Sequence, residues 1–103
     1  MELGANTNQK ANLEYTPLHL AAQLNQIEIA QMLINFGADA DAQDVSNRTP
    51  LHIANDYNHA AVLLILLKCG ASQHIKNDEG DKVLESSLKT KNHNIFKTIL
   101  YHQ

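Results

Sequence analysis

Six histidines, one cysteine, three closely spaced aspartates and four serines are the side chains on which chemistry could be built. A zinc site needs nitrogen or sulfur ligands at short, regular spacings. His74, His93 and His102 have no such spacing with one another or with Cys69, and His59, just after Asn58, reads as a solvated turn residue. Asp39, Asp41 and Asp44 look like the opening of a calcium loop. That loop needs glycine at its sixth position and glutamate at its twelfth, and here those positions hold Asp44 and Pro50. Ser46, Ser72 and the Ser86–Ser87 pair lie in no triad-like arrangement, and the glycines at 4, 37, 70 and 80 are too dispersed for a phosphate loop. Neither Gly-x-Ser-x-Gly nor His-Glu-x-x-His occurs. A reactive thiol needs an electropositive setting; Lys68 alone does not supply one, so Cys69 reads as a filler at a helix end. The expectation is no catalytic residue, no cofactor and no metal.

The elements that would position these side chains follow from a repeat. Shifted by 33 positions, the sequence matches itself at 13 of 70 pairs, in blocks. Gly4-Ala5 falls on Gly37-Ala38 and again on Gly70-Ala71; Thr16-Pro17-Leu18-His19 falls on Thr49-Pro50-Leu51-His52. Each unit predicts two short helices. Thr16 and Thr49 suit the N-cap, and the proline after each suits a first turn whose amide needs no partner. Leu18, Ala21, Ala22 and Leu51, Ala54 have helical spacing. The first helix should stop near Asn25 and Asn58, since asparagine tolerates a left-handed backbone. The second should run about 27–36 and 60–69 and stop at Gly37 and Gly70. The polar stretch between Gly37 and Thr49 reads as an extended loop or β-hairpin.

Composition narrows the function. The chain has 103 residues, 44% hydrophobic and 18% charged, with net charge −3. That is one small globular domain, without the basic footprint of a nucleic-acid binder. One cysteine excludes an internal disulfide framework. The longest apolar run, 60–67, is eight residues, and a membrane helix needs about 20. No nucleic-acid or membrane partner is expected, and the location expected is intracellular, in cytosol or nucleus.

The blocks Thr-Pro-Leu-His-Leu-Ala-Ala at 16–22 and Thr-Pro-Leu-His-Ile-Ala at 49–54, with Gly-Ala at 37–38 and 70–71, resemble the ankyrin repeat. The resemblance covers nearly the whole chain in one register. It implies an all-α solenoid of helix-turn-helix units with β-hairpin or loop fingers. One unit cannot bury its apolar face alone and needs neighbours. The division expected is a stub of a preceding repeat with the first finger at 1–15, repeats at 16–48 and 49–81, and a divergent C-terminal capping repeat at 82–103. The stub points to further repeats upstream and to a fragment of a longer array. Departures are Asn47 in place of the fingertip glycine that Gly80 keeps, Asn25 and Asn58 between helices, and Asn55 in place of the motif's second alanine. In the last unit, Lys82-Val83-Leu84-Glu85 replaces Thr-Pro-Leu-His, while Leu84, Ile95, Ile99 and Leu100 keep the core pattern.

The resemblance also assigns roles. His19 and His52 would bridge loop backbones through hydrogen bonds. Partners would dock on the finger tips and the concave face of the first helices. In this chain those positions include Leu13, Tyr15, Val45, Arg48, Asp78 and Asp81 on the fingers. On the helices they are Gln23, Leu24, Asp56, Tyr57 and Lys89. Leu13, Tyr15, Leu24, Val45 and Tyr57 would form an apolar and aromatic anchor region, rimmed by acids toward the third unit. The function expected is a non-catalytic protein–protein interaction module of a larger protein. The alternative is a regulatory or substrate-recruiting domain of an enzyme, such as a bacterial effector, whose catalytic domain lies elsewhere.

Overall fold

The structure is a computed structural model describing residues 14–89 and 93–102. It contains three helix pairs: α1 (Pro17–Gln23) with α2 (Ile27–Asn35), α3 (Pro50–Asp56) with α4 (Ala60–Lys68), and α5 (Val83–Lys89) with α6 (His93–His102). The first helices pack on one another in the order α1, α3, α5, and the second helices in the order α2, α4, α6. Each first helix also packs on its own second helix.

Local chemistry explains the boundaries. Thr16 and Thr49 cap α1 and α3 in extended conformation, each followed by proline. Asn25 and Asn58 take φ of 57° and 61°, the left-handed turn that reverses the chain into the second helix. The second helices end one residue earlier than the glycine spacing predicts, with Phe36 and Cys69 as C-caps before the left-handed Gly37 and Gly70.

The core lies between the helix layers. Leu18, Leu51, Ile53, Leu63, Leu66, Ile95 and Ile99 are essentially fully buried. Burial follows neighbours as much as residue type. Ile53 and Val62 are buried, while Leu20 and Ile29, one repeat earlier, are exposed. α3 and α4 have helices on both sides; α1 and α2 have described helices on one side only. For the same reason Leu100, expected in the core, is 45% exposed, whereas Leu67 one repeat earlier is 2% exposed beneath α6. Leu84 is only partly buried against the core, and Val83 takes the buried place beside it.

No strand occurs among the described residues. The second finger closes through a turn in which the Asn47 amide donates to the Asp44 carbonyl, plus one pairing from the Asp44 amide to the Arg48 carbonyl (3.0 Å). One such bond does not make a β-ladder, so this finger is a loop around a tight turn.

Candidate functional site

Two threonine–histidine clasps organise the fingers. In each, the threonine hydroxyl accepts from the histidine backbone amide, and the histidine Nδ1 accepts from the threonine backbone amide. This reciprocal capping leaves Nε2–H as the free donor. His19 Nε2–H donates to the Arg48 carbonyl at 2.7 Å, and His52 Nε2–H to the Asp81 carbonyl at 3.1 Å. The carbonyl acceptors fix the neutral tautomer, and burial pushes both imidazoles below their ordinary pKa of 6.5. Each clasp thus ties one helix start to the finger of the next unit. His59 makes a third tie: its Nδ1–H donates to the Ala22 carbonyl at 2.8 Å. It is therefore a structural bridge and not the solvated residue expected, because the turn at Asn58 aims it back at α1.

The finger tips are built on side-chain turns. Asp44 Oδ1 accepts from the Ser46 and Arg48 amides, both at 2.9 Å. One repeat later, Asn77 Oδ1 accepts from the Glu79 and Asp81 amides, both at 3.0 Å. The tips are joined: the Asp78 amide donates to the Ser46 carbonyl at 3.0 Å, and the Asn47 side-chain amide donates to Asp78. Lower down, the Ser72 amide donates to Asp41 Oδ1 at 2.8 Å. Asp39 Oδ1 accepts from the Asp41 amide at 2.9 Å, so each of the three aspartates that looked like a calcium loop is engaged by a backbone amide. Among the described residues no three His, Cys, Asp or Glu side chains group as a metal site requires.

Between the second and third fingers lies a cleft of about 480 Å³. Ser46 and Arg48 form one wall, and Asn77, Asp78, Glu79 and Asp81 form the other. Asp56 from α3, with Ser86 and Lys89 from α5, completes the lining. Arg48 is clamped by Asp44, with Nε and NH2 at 3.0 and 2.9 Å from Oδ2, and reaches Asp56 only at 3.8 Å. Burial alone would raise the Asp44 carboxyl, but the bonds from Arg48 and Ser46 hold it below its ordinary range. Asp56 is raised, chiefly by burial, against the pull of Arg48 and His52. Lys89 Nζ sits 2.6 Å from Asp81 Oδ2, and that hydrogen bond raises the lysine.

A model of the ankyrin repeat family (three copies) matches residues 1–77. This chain belongs to the ankyrin-repeat family. A comparison with curated proteins finds no match. Ankyrin repeats are generally protein–protein interaction modules, and the family is typically non-catalytic. The match stops before α5 and α6, the pair whose helix start departs most from the ankyrin motif.

On this ankyrin framework the structure brings together only part of the expected partner-binding residues. Arg48, Asp56, Asp78, Asp81 and Lys89 meet in the cleft. Tyr15 and Gln23 are joined by a 2.6 Å hydrogen bond from the tyrosine hydroxyl, and Tyr15 stacks on His19 with centroids 5.0 Å apart. Burial raises the Tyr15 hydroxyl, with the nearby Tyr57, Asp44 and Asp56 adding to it and Arg48 opposing. Tyr15 thus borders the cleft group. Tyr57 is exposed and stacks on His59 at 6.3 Å. Val45 and Leu24 are exposed, at a finger tip and at the C-cap of α1. Leu13 lies outside the described residues.

Two of these residues also carry structure. The Asp44 clamp makes Arg48 part of the finger's own support, and Asp81 is buried at 8% exposure with its carbonyl held by His52. The finger positions are therefore less free of packing roles than their place in the repeat implies. Ser86, 6% exposed on the cleft floor, and Asn77 were not among the expected binding residues. Ser86 aligns with Ile53, a core position, so its sequence position hides its access to the cleft. Cys69 is exposed, its thiol donating to the Leu66 carbonyl at 3.1 Å, and burial together with Asp41 raises it. No described helix is long and apolar enough to cross a membrane.

Proposed function

We propose that this chain is a non-catalytic interaction module that holds a partner protein on its fingers and first helices. The observation that carries the reading is the charged cleft between two fingers, lined in part by Arg48, Asp56 and Lys89. Tyr15, Leu24, Val45 and Tyr57 are exposed on the fingers and at the first-helix ends, and Tyr15 lies near enough to Tyr57, Arg48 and Asp56 for them to act on its hydroxyl. Tyrosine and arginine are the residue types enriched where interfaces concentrate their energy. Tyr15, Tyr57, Leu24 and Val45, with Leu13, supply apolar contact, and the acids around Asp78 supply the rim. In the proposed division, Leu13 and Tyr15 belong to the stub and first finger at 1–15, Leu24 and Val45 to the repeat at 16–48, Tyr57 and Asp78 to the repeat at 49–81, and a capping unit follows at 82–103. The net negative charge favours a protein partner over a nucleic acid.

The decisive experiment is an affinity pull-down from source cells with the wild type and Tyr57→Ala. Tyr57 is 47% exposed at the C-cap of α3, so its loss should change stability by no more than about 0.5 kcal/mol. Partner capture should fall by about tenfold or more. Unchanged capture, or a loss explained wholly by unfolding, overturns the assignment of this face.

A further inference from the structure

We propose that a second copy of this chain stacks on the first end to end, with α5 and α6 of one copy lying against α1 and α2 of the next. These surfaces are separate from the cleft, and the inference does not depend on the reading above.

Burial along the 33-residue register marks two edges that lack a neighbour. Ile53 and Ser86 are buried in the second and third units, while Leu20, at the same place in the first, is 47% exposed. Val62 and Ile95 are buried, while their counterpart Ile29 is 46% exposed. A preceding unit covers these positions, and only α1 and α2 leave them open. At the other end the order reverses. Ala22 and Asn55 are buried, while their counterpart Leu88 is 55% exposed, and Leu100 is open where Leu67 is covered. A following unit covers these positions, and only α5 and α6 leave them open. Large apolar side chains grouped on a surface mark a contact site.

The two open edges fit each other because the chain already joins such edges twice. The downstream edge of one unit meets the upstream edge of the next, α1 on α3 and α3 on α5, α2 on α4 and α4 on α6. A copy added by the same step sets Leu88 and Leu100 against Leu20 and Ile29. Gln26, exposed, stands where His59 stands one unit later. His59 donates to the Ala22 carbonyl of the unit before it, and the Gln26 amide keeps a donor for the corresponding Leu88 carbonyl of the second copy. By the same register residues 1–13 correspond to 34–46, so they offer no counterpart of the first helix that covers α3.

Charge fixes the direction of stacking. Residues 14–47 carry five carboxylates and no lysine or arginine, whereas residues 82–103 carry four lysines and one carboxylate. Two first units face to face would set acid against acid. The third unit of one copy on the first unit of another sets opposite charges together. Such a head-to-tail contact leaves one edge free at each end, so copies add in a row. A contact one repeat edge wide falls at the small end of specific interfaces, so assembly is reversible and rises with concentration.

The test is sedimentation velocity of the full 103-residue chain at low salt, from about 10 μM to about 1 mM. The average mass should climb with concentration past that of a dimer. Leu20→Lys with Met32→Lys blocks the upstream edge, and Leu88→Asn with Leu100→Asn blocks the downstream edge. Each double variant alone should associate about tenfold more weakly or less. Mixed in equal amounts, the two still share one intact pair of edges and should form a complex of two chains that grows no further. Circular dichroism checks the fold. Should a double variant unfold, Met32→Lys and Leu88→Asn, both at positions 55% exposed, replace the doubles. A wild type that stays monomeric throughout would overturn the proposal. So would a dimer that stops at two chains and survives the downstream substitutions, since that is a symmetric pairing of first units.

Discussion

The start of α3 and the start of α5 solve the same structural problem with different chemistry. At α3, Thr49 and His52 cap each other, and the spare imidazole N–H reaches the next finger. At α5, Lys82 and Glu85 stand in their places. Glu85 Oε1 accepts from the Lys82 amide at 2.8 Å, which is half of a capping box. A carboxylate accepts but, when ionised, cannot donate, so it has no N–H to offer a following finger. Six residues of α3 are buried, against Val83, Ser86 and Ser87 in α5. The difference teaches that the histidine is an inter-unit connector as much as a cap. A helix start that keeps only the cap lacks that side-chain tie to a following finger.

The sharpest way to break this comparison is to truncate equivalent leucines. Leu67 is 2% exposed under α6, and Leu100 is 45% exposed. Leu67→Ala should cost about 3 kcal/mol. Leu100→Ala should cost about 1 kcal/mol, since nearly half of its surface stays in water in the folded chain. Urea unfolding curves followed by circular dichroism measure both. Equal losses would mean that the third pair is as enclosed as the second.

The connector role predicts the next largest effect. His52→Ala leaves the Asp81 carbonyl and the Thr49 amide without their partner, and should cost about 2 kcal/mol. Glu85→Ala, at an exposed cap, should cost about 0.5 kcal/mol. Acidity supplies a second readout. His19 and His52 titrate below 6.5 in the folded chain, chiefly through burial. As pH falls below 6.5 the unfolded chain takes up protons that the folded chain refuses. Stability is therefore complete above that pH and declines as pH falls toward the folded values. Asp56, raised by burial from 3.8, acts with the opposite sign in the more acid window that begins above 3.8. The melting temperature should drop between pH 7 and pH 5, and less steeply in His52→Ala. An unchanged slope would show that His52 is not the group titrating.

The part of this structure legible in the sequence is the part governed by short-range chemistry. Thr-Pro at a helix start, asparagine at a left-handed turn and glycine after a second helix each act within a few residues, and all appear where the 33-residue period places them. The exposure of Leu100, the His59 bridge to Ala22 and the Arg48–Asp44 clamp were not legible. The first two depend on which helix lies alongside. The clamp depends on a tight turn folding Arg48 back over Asp44, in a stretch that the pattern left as loop or hairpin. The cleft was half legible. Its charged residues follow from finger and helix positions, whereas Ser86 enters it from a position that is core in the preceding unit.

Asn55 offers a gentler test of the same contrast between units. At the equivalent place, Ala22 is fully buried with no polar group to satisfy. Asn55 buries an amide that finds no complete hydrogen bond. Asn55→Ala should stabilise the chain by about 1 kcal/mol, the gain from releasing an unsatisfied polar group offset by the space left. Thermal unfolding decides the sign. A clear loss of stability would show that the Asn55 amide is satisfied in solution.

The smallest effects separate the two finger tips. Gly80 has φ of 80°, and nothing lies within 4 Å of where a β-carbon would stand. The cost of Gly80→Ala is then purely backbone, about 1 kcal/mol for a left-handed alanine. Asn47 holds the matching place in the second finger with φ of 61°. Asn47→Gly relieves that backbone by a few tenths of a kcal/mol up to about 1. It also removes the amide that reaches Asp78, a tip-to-tip bond worth about 0.5–1 kcal/mol. The two terms oppose, so Asn47→Gly should leave the unfolding midpoint nearly unchanged. Hydrogen exchange at the Asp78 amide, which donates to the Ser46 carbonyl, would nevertheless speed up, because one of the two bonds that join the finger tips is gone. An unchanged exchange rate would mean that the asparagine is there for its backbone alone, as the glycine is at the third tip.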